Sequence, residues 1–212
     1  MNKRNYQREL DEILKEIQRA LSAGESRPEL LLHCCCAPCS SYVLEYLVTY
    51  FEITLYFYNP NITEEDEYLK RKSELIRYVK ERNYDRDYGV KFIDADYNPE
   101  VFWELAKGLE DEPERGRRCT KCYKCRIDST AKVAAEVGAD YFCTTLSISP
   151  HKDNERLMAL GERAAMEYGV PYLPSDFKKK NGYKRSIELS AEYGLYRQDF
   201  CGCVYSKKLK LN

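Results

Sequence analysis

The chain has 212 residues, of which 43% are hydrophobic and 33% charged, and its formal net charge is −1. This length allows one substantial core, so we expect a single domain over residues 1–212, with residues 1–28 as an N-terminal helical extension. No segment contains the ~20 consecutive apolar residues of a membrane-spanning helix, and the charged N-terminal residues do not resemble a signal peptide. We therefore expect a cytoplasmic protein without a membrane partner, and the charge balance excludes a global positive field.

Strand-like and helix-like segments alternate along the chain. Strands are expected at 29–35, 53–62, 90–98 and 141–149, with a short strand-like piece at 170–174. Helices are expected at 40–50, 63–83, 99–109, 127–140 and 153–168. Thr63 is the expected N-cap of the second of these helices. The alternation predicts a three-layer α/β fold, in which helices cover both faces of a parallel sheet.

The first predicted strand ends in the segment HCCCAPCS. In open α/β sheets, ligands collect at the carboxyl ends of the strands, beside helix N-termini. Nucleotide-binding enzymes carry a glycine-rich phosphate loop there, yet neither GxxxxGK[ST] nor GxGxxG occurs in this sequence. We therefore expect no nucleotide cofactor, and cysteines occupy the place of the phosphate loop.

Nine of the ten cysteines fall into three groups. The first group is Cys34, Cys35, Cys36 and Cys39; the second is Cys119, Cys122 and Cys125; the third is Cys201 and Cys203. In a reducing compartment, clustered cysteines more often bind metal or carry out redox chemistry than form structural disulfides.

Four cysteines have the arrangement of metal ligands. Cys35 and Cys36 lie where a strand ends and the chain turns, so both sulfur atoms can reach one metal centre. Cys119 and Cys122 have the C-x2-C spacing with which two thiolates bind one metal from a turn or a helix start. Four thiolates suit a structural zinc ion or an iron-sulfur cluster, and the spacing alone does not separate the two. The surplus cysteines favour the cluster, because a structural zinc site is usually a closed knuckle.

A single glycine separates Cys201 from Cys203. A disulfide across so short a loop is strained, and strained disulfides are readily reduced. We therefore interpret the pair as a redox-active dithiol, with metal ligation as the alternative. Cys34, Cys125 and Cys143 are expected to act as small buried hydrophobic residues.

Basic residues surround two of the cysteine groups despite the net charge of −1. Residues 115–126 hold six basic residues, 178–185 hold five, and the tail SKKLKLN holds three. Such runs are often solvated surface, but they also suit contacts with RNA phosphates. Tyr123 and Tyr196 lie among basic residues, an arrangement that suits stacking on a nucleobase. The candidate RNA-binding residues are Arg118, Lys121, Tyr123, Tyr196 and Arg197.

Five motifs, in one order, resemble the QueH-type epoxyqueuosine reductases. They are LLHCCCAPCS, YNPNI with EYLKRK, RCTKCYKCR, TTLSISPHKDN and EYGLYRQDFCGCVYS, and they extend from Leu30 to Ser206. The resemblance implies a HUP-like α/β fold, similar to adenine nucleotide α-hydrolase domains but without their ATP loop. It also implies a cobalamin-independent, two-electron reduction of the epoxide of epoxyqueuosine to queuosine, at the wobble position of tRNA. This is the last step of queuosine biosynthesis.

Position by position, the resemblance also implies roles for the cysteines. The ligands of a 4Fe-4S cluster match Cys35, Cys36, Cys119 and Cys122, and the redox-active pair matches Cys201 and Cys203. A further iron ion is expected beside the cluster, with Cys39 as a ligand. The expected partners are tRNA and an unidentified electron donor.

Two rival functions stay open from the sequence. A zinc-dependent RNA-binding module explains four thiolates and the basic runs, but leaves Cys201 and Cys203 without a role. A small-molecule thiol-disulfide oxidoreductase explains that pair, but not the basic surroundings of the second cysteine group. Metal analysis and a choice of substrates separate the three possibilities.

Overall fold

The structure is a computed structural model that describes residues 4–211, and side chains up to residue 207. In this part of the chain, a four-stranded, all-parallel sheet has the strand order β3-β2-β1-β4. The strands are β1 (Glu29–His33), β2 (Glu52–Phe57), β3 (Lys91–Asp94) and β4 (Tyr141–Thr144). No helix in the described residues is both long enough and apolar enough to cross a membrane.

Helices connect and cover these strands. They are α1 (Tyr6–Ser22), α2 (Ala37–Leu47), α3 (Glu65–Glu81), α4 (Tyr84–Asp87), α5 (Glu100–Ala106), α6 (Arg117–Val137), α7 (Asn154–Tyr168), α8 (Gly182–Glu192) and α9 (Val204–Leu211). A short 3₁₀ helix, Thr145–Ile148, follows β4 directly.

Both faces of the sheet are buried, because alternate side chains of a strand point to opposite faces. Leu30 and Leu32 pack into one core, which is covered by α1, α2 and α3. Leu31 and Phe142 pack into a second core beneath α6 and α7. The predicted three-layer α/β architecture is therefore confirmed.

Helix α1 contributes directly to the first core. Its side chains Leu10, Leu14 and Ile17 are buried among residues of β1 and α2. Burying a leucine or isoleucine side chain contributes about 1.5–3 kcal/mol. Helix α1, which lies within the predicted N-terminal extension, is thus part of the folded core; residues 1–3 lie outside the described residues.

The strand order places a crevice beside β1. Strands β2 and β3 lie on one side of β1, and β4 lies on the other. In open α/β sheets, ligands bind outside the carboxyl ends of the two strands at which the order reverses. Here these ends belong to β1 and β4, so the segments that begin at Cys34 and Thr145 border the expected ligand site.

The strands are shorter than predicted. β1 ends at His33 and β2 at Phe57, because the two segments leave the sheet and bind to each other. The side-chain amide of Asn59 donates to the carbonyl oxygen of Cys34 at 2.9 Å. β3 and β4 also end before the predicted limits, and residues 170–174 contribute only a bridge between Phe142 and Tyr172.

Three predicted helix starts were wrong. Helix α2 begins at Ala37, three residues before the predicted start. Helix α3 begins at Glu65 with Glu64 as its N-cap, and the backbone N–H of Thr63 donates to the carbonyl oxygen of Gly202 instead. Helix α6 begins at Arg117, ten residues before the predicted start, so it contains the second cysteine group. Helix α8 was not predicted at all.

Candidate metal centre and dithiol

The turn from β1 into α2 brings three cysteines together. Cys36 is the N-cap of α2, and its backbone is extended, with φ −173° and ψ 163°. Its side chain makes no capping hydrogen bond, so the sulfur stays available for other contacts. Cys39 lies in the first turn of α2, where side chains lean towards the helix N-terminus and hence towards Cys35 and Cys36.

The spacing of these three sulfur atoms suits a metal ion. The Sγ atoms of Cys35, Cys36 and Cys39 lie within 4.8 Å of one another, and those of Cys35 and Cys36 are 3.7 Å apart. Sulfur ligands of a tetrahedral ion with ~2.3 Å bonds lie about 3.8 Å apart. In the described part of the chain, no other group of three metal-binding side chains is as compact.

The three thiols do not ionise alike. Hydrogen bonds from the thiols of Cys36 and Cys39 lower the pKa of Cys35 well below its usual value, and the charge of Arg126 acts in the same direction. Burial raises the pKa of Cys36 to about 12, and the bonds to Cys35 and Cys36 raise the pKa of Cys39. Cys35 is therefore the thiol of this group that ionises most readily. Metal ions bind cysteine as the thiolate, so this direction favours metal binding at Cys35.

Arg126 supplies a buried positive charge behind these cysteines. Its side chain is only 1% exposed, and it donates to Asn59 Oδ1 at 2.6 Å and to His33 Nε2 at 3.3 Å. None of the ion pairs between described residues includes it. The thiols of Cys122, Cys35 and Cys201 raise the pKa of its guanidinium, against the effect of burial. A buried cation is costly without an anion nearby, and the sulfur atoms of Cys122, Cys35 and Cys201 are among the groups that act on it.

His33 is a neutral hydrogen-bonding residue. Its Nδ1 atom lies 2.8 Å from Thr144 Oγ1 across the β1-β4 pair. Burial, with the charge of Arg126, lowers the pKa of His33 to about 3, so the ring stays uncharged at neutral pH. His151 is exposed at the rim of a cavity described below.

The second cysteine group faces the same place from α6. Residues three, four and seven apart share one side of a helix, so Cys119 and Cys122 lie on the side of α6 that carries Arg126. Burial raises the pKa of Cys122 to about 12, and Cys201 and Lys152 are among the charges that act on it. Cys125 lies apart, with its sulfur 3.7 Å from the hydroxyl of Tyr58.

The four predicted cluster ligands are not all within the distance of a single ion. No compact group of metal-binding side chains among the described residues includes Cys119 or Cys122. Arg126 nevertheless links the two pairs, because the thiols of both Cys35 and Cys122 act on its charge. The ligands of a cuboidal cluster lie farther apart than those of one ion, because iron and sulfide atoms lie between them.

The third cysteine group lies across a cavity of about 440 Å³ from the first. Cys201, Cys35 and Cys39 all line this cavity, whereas Cys203 is only 7% exposed and lies behind Cys201. Both are free thiols. Arg71 and Asn61 donate to the carbonyl oxygen of Cys201 and hold the segment in place.

Gly202 makes the tight turn between the two cysteines possible. Its φ is +106°, a conformation that residues with a Cβ rarely adopt. A Cβ atom here would also lie 2.8 Å from Cγ1 of Ile62, which is too close. The intervening residue is therefore glycine for two reasons, backbone conformation and space.

Sequence reasoning missed three residues of the site. The Nζ atom of Lys152 lies 3.0 Å from Cys201 Sγ, and the side-chain amide of Gln198 donates to Cys36 Sγ at 2.9 Å. Arg126 is the third. All three lie within motifs or runs that the sequence analysis describes. Lys152 could have been found from its position after β4, at the carboxyl edge of the sheet.

Two candidate RNA-binding residues lie in the interior. Arg118 is 3% exposed, and its guanidinium donates to the carbonyl oxygens of Leu109 and Glu110. Tyr123 is 1% exposed, and no described residue pairs with its hydroxyl. Neither side chain is at the surface, so the structure does not support the predicted direct contacts of these two with RNA.

The other three candidates lie at or near the surface. Lys121 is exposed, and Arg197 is exposed beside the cavity that Cys201 lines. The ring of Tyr196 is half-buried, and Nζ of Lys70 lies 3.6 Å from its centre, so one face of the ring is covered. In the basic tail, Lys208 and Lys210 lie outside the described side chains.

Comparison with known proteins shows the family of this chain. The family model "Epoxyqueuosine reductase QueH" matches residues 30–209. The chain is 44% identical over 200 residues to a protein of that name from Streptococcus pyogenes, covering 94% of this chain and 78% of the relative. It is 43% identical over 205 residues to one from Staphylococcus epidermidis, covering 96% and 86%. The chain belongs to the epoxyqueuosine reductase QueH family.

Similarity extends to distant members of the QueH family. A relative from Thermotoga maritima is 33% identical over 183 residues, covering 84% of this chain and 89% of that protein. The match of the family model to residues 30–209 covers all three cysteine groups, because they lie between residues 34 and 203. The predicted family is confirmed, and with it the oxidoreductase class.

Proposed function

We propose that this chain reduces the epoxide of epoxyqueuosine to queuosine at the wobble position of tRNA, with the dithiol of Cys201 and Cys203 as the immediate redox group. The observation that carries the proposal is the meeting of all three cysteine groups at one edge of the sheet. Cys201 shares a cavity with Cys35 and Cys39, and its charge acts on Cys122. The names of the relatives supply the reaction.

The donor atoms at this edge suit an iron-sulfur cluster. Thiolates are the soft ligands that such clusters require, and the proposed ligands are Cys35, Cys36, Cys119 and Cys122. The buried charge of Arg126, which has no carboxylate partner among the described residues, favours a centre with negative charge. A cluster with four thiolate ligands supplies that charge, and when bound it would provide one-electron transfer. Cys39 is then available to a further iron ion beside it.

The stoichiometry of the reaction matches a dithiol. Removal of the epoxide oxygen as water, with formation of the carbon-carbon double bond, consumes two electrons and two protons. Closing a Cys201–Cys203 disulfide releases two electrons and the two protons of the thiols. An electron donor must then reduce the disulfide before the next turnover, and its identity stays open.

The remaining side chains have simpler tasks. The cavity of about 440 Å³ that Cys201 lines is the proposed place of the modified nucleobase. Exposed cations at its mouth and on α6, Arg197 and Lys121, are placed to contact RNA phosphates. Phosphate contacts position the RNA, and the cavity selects the nucleotide.

Anaerobic reconstitution with iron and sulfide, followed by assay on tRNA that contains epoxyqueuosine, tests the proposal. We expect bound iron, acid-labile sulfide, brown colour, and loss of one oxygen atom from the modified nucleoside in mass spectra. Zinc without labile sulfide, and no reduction of the tRNA, would favour the RNA-binding module. Turnover of free disulfides without turnover of tRNA would favour the small-molecule oxidoreductase.

A further inference from the structure

Lys152 is an unusual lysine, because its charged end lies inside the protein. Its side chain is only 8% exposed, and its Nζ atom lies 3.0 Å from Cys201 Sγ. The nearest carboxylate oxygen in an ion pair with it belongs to Glu114, at 3.7 Å, and the side chain of Glu114 is 41% exposed. Burial of an ammonium group is costly unless an anion compensates it. The sulfur of Cys201 is the closer and better shielded partner.

The two sulfur atoms of the dithiol have different surroundings. Cys201 is half-buried and lines the cavity, whereas Cys203 lies behind it and does not. The thiol of Cys203 and the charges of Lys152 and Arg126 lower the pKa of Cys201, while proximity to Cys201 raises the pKa of Cys203. Lys152 therefore contacts the sulfur that a substrate in the cavity would meet first.

We propose that Lys152 is a positioning residue of the dithiol: its ammonium group holds Cys201 as the reactive thiolate at the cavity and leaves Cys203 as the resolving thiol. The inference deepens the proposed function and rests on it for the identity of the substrate. The inference goes beyond the proposed function in two respects. It gives Cys201 and Cys203 different roles, and it assigns Lys152 as the residue that makes them different.

The proton balance of the reduction is met within this arrangement. The resting site holds the Cys201 thiolate, the Lys152 ammonium and the Cys203 thiol. When the sulfur-sulfur bond forms, the pair gives two electrons to the substrate, Cys203 gives one proton, and Lys152 gives the proton that Cys201 had lost. The epoxide oxygen leaves as water with these two protons. Reduction of the disulfide by the electron donor, with uptake of two protons from solvent, restores the site.

Other charged or titratable groups also act near Cys201. They are Arg126, Cys119, Cys122, Tyr123 and Cys203. Arg126 acts on Cys201 through its charge, but among the described residues only Lys152 makes a hydrogen bond to its sulfur from another element of the fold. Replacing Lys152 therefore removes the main contact of that sulfur outside the dithiol.

The experiment measures the alkylation rate of Cys201 in the reduced holoenzyme, purified without oxygen. Iodoacetamide is added about one pH unit below the midpoint of the wild-type alkylation profile, where any rise in the thiol pKa lowers the rate. The modified sulfur is located by fragmentation of the tryptic peptide from Gln198 to Lys207. Cysteines bound to metal are protected, so the free dithiol dominates the signal. For each unit by which a thiol pKa rises above the ambient pH, the thiolate becomes tenfold scarcer but more nucleophilic, and the rate falls about threefold.

We expect Lys152→Met to slow alkylation of Cys201 by at least about threefold, and Lys152→Arg, which keeps the charge, to slow it less. Lys132→Met is the matched control, because Lys132 is exposed on α6 and its ion pair in the described part of the chain is with Glu136. An unchanged rate in a folded Lys152→Met variant would overturn the proposal. If this variant does not fold, Lys152→Gln is compared with Lys152→Arg, and equal rates in the two would overturn it as well.

A second measurement separates this inference from the proposed function. In glutathione buffers, loss of the ammonium group destabilises the reduced form, so Lys152→Met should favour the disulfide about tenfold, or about 30 mV. Neither measurement needs tRNA or turnover. If the wild type fails to reduce tRNA but both shifts occur, the substrate assignment is wrong and the role of Lys152 stands. If tRNA is reduced and neither shift occurs, the role of Lys152 is wrong.

Discussion

Cys35 and Cys39, which follow β1, line the same cavity as Cys201 of the third group, yet their surroundings differ. Cys35, Cys36 and Cys39 contact one another, and their Sγ atoms form a compact group. Cys201 instead contacts an ammonium group, and its partner Cys203 is shielded behind it. The same residue type is thus prepared for two tasks. Converging sulfur atoms suit metal binding, and a sulfur paired with a cation suits redox exchange.

The largest expected effects distinguish the metal centre from the dithiol by mutation. Cys122→Ala should remove bound iron, brown colour and all measurable turnover, because a proposed cluster ligand is lost. Cys201→Ala should keep the iron and colour but also lose all turnover, because only the dithiol is broken. Iron analysis, absorbance spectra and the tRNA assay check both variants.

Cys125→Ala is the control for this pair of variants. Cys125 lies on the same helix as Cys122, but its sulfur contacts the hydroxyl of Tyr58. Its replacement should leave iron content unchanged. A colourless Cys122→Ala protein that still reduces tRNA would show that the cluster is not needed for the reduction. This outcome would contradict the proposed role of the metal centre.

A smaller effect is expected when the buried positive charge of Arg126 is removed. Arg126→Met should weaken iron binding roughly 10–100-fold, as is typical when a residue that supports metal ligands is lost. Competition with a chelator measures the affinity. Arg118→Met is the control, because Arg118 is also buried on α6 but is bonded to backbone carbonyl oxygens. Equal iron affinity in the two variants would show that Arg126 serves only the fold.

The smallest effect concerns the turn that presents the dithiol. Gly202→Ala should lower the free energy of unfolding by about 2–3 kcal/mol, since a Cβ is strained at this φ and lies too close to Ile62. For a domain of this size the melting temperature should fall by about 4–12 °C. Gly108 also has positive φ but has open space around it, so Gly108→Ala should cost only about 1 kcal/mol. Equal melting temperatures for the two variants would contradict this account of the turn.

The sequence predicted the layers of this fold well, because they depend on local patterns. Alternating apolar segments identified all four strands, and the helix that ends at Gly138 was expected from its glycine. The ends of the strands were predicted less well. The contacts that end β1 and β2 join Asn59 to Cys34, and no local pattern encodes such a pair.

The site was predicted in part, for a similar reason. Cysteine spacing and the resemblance to a family identified the three groups, since these signals lie within short segments. Arg118 and Tyr123 were taken for surface residues because they lie in a basic run, but α6 begins early enough to turn both inward. Lys152 and Arg126 escaped notice because a basic residue shows such a role only when the fold places sulfur beside it.

The contact between Gln198 and Cys36 joins residues that are 162 positions apart. Contacts between such distant segments form late in folding, because the intervening chain must first be ordered. The amide of Gln198 therefore reaches Cys36 only once the chain between them has folded. The surroundings of the Cys36 sulfur are thus completed by the tertiary fold, although its neighbours Cys35 and Cys39 are local in sequence.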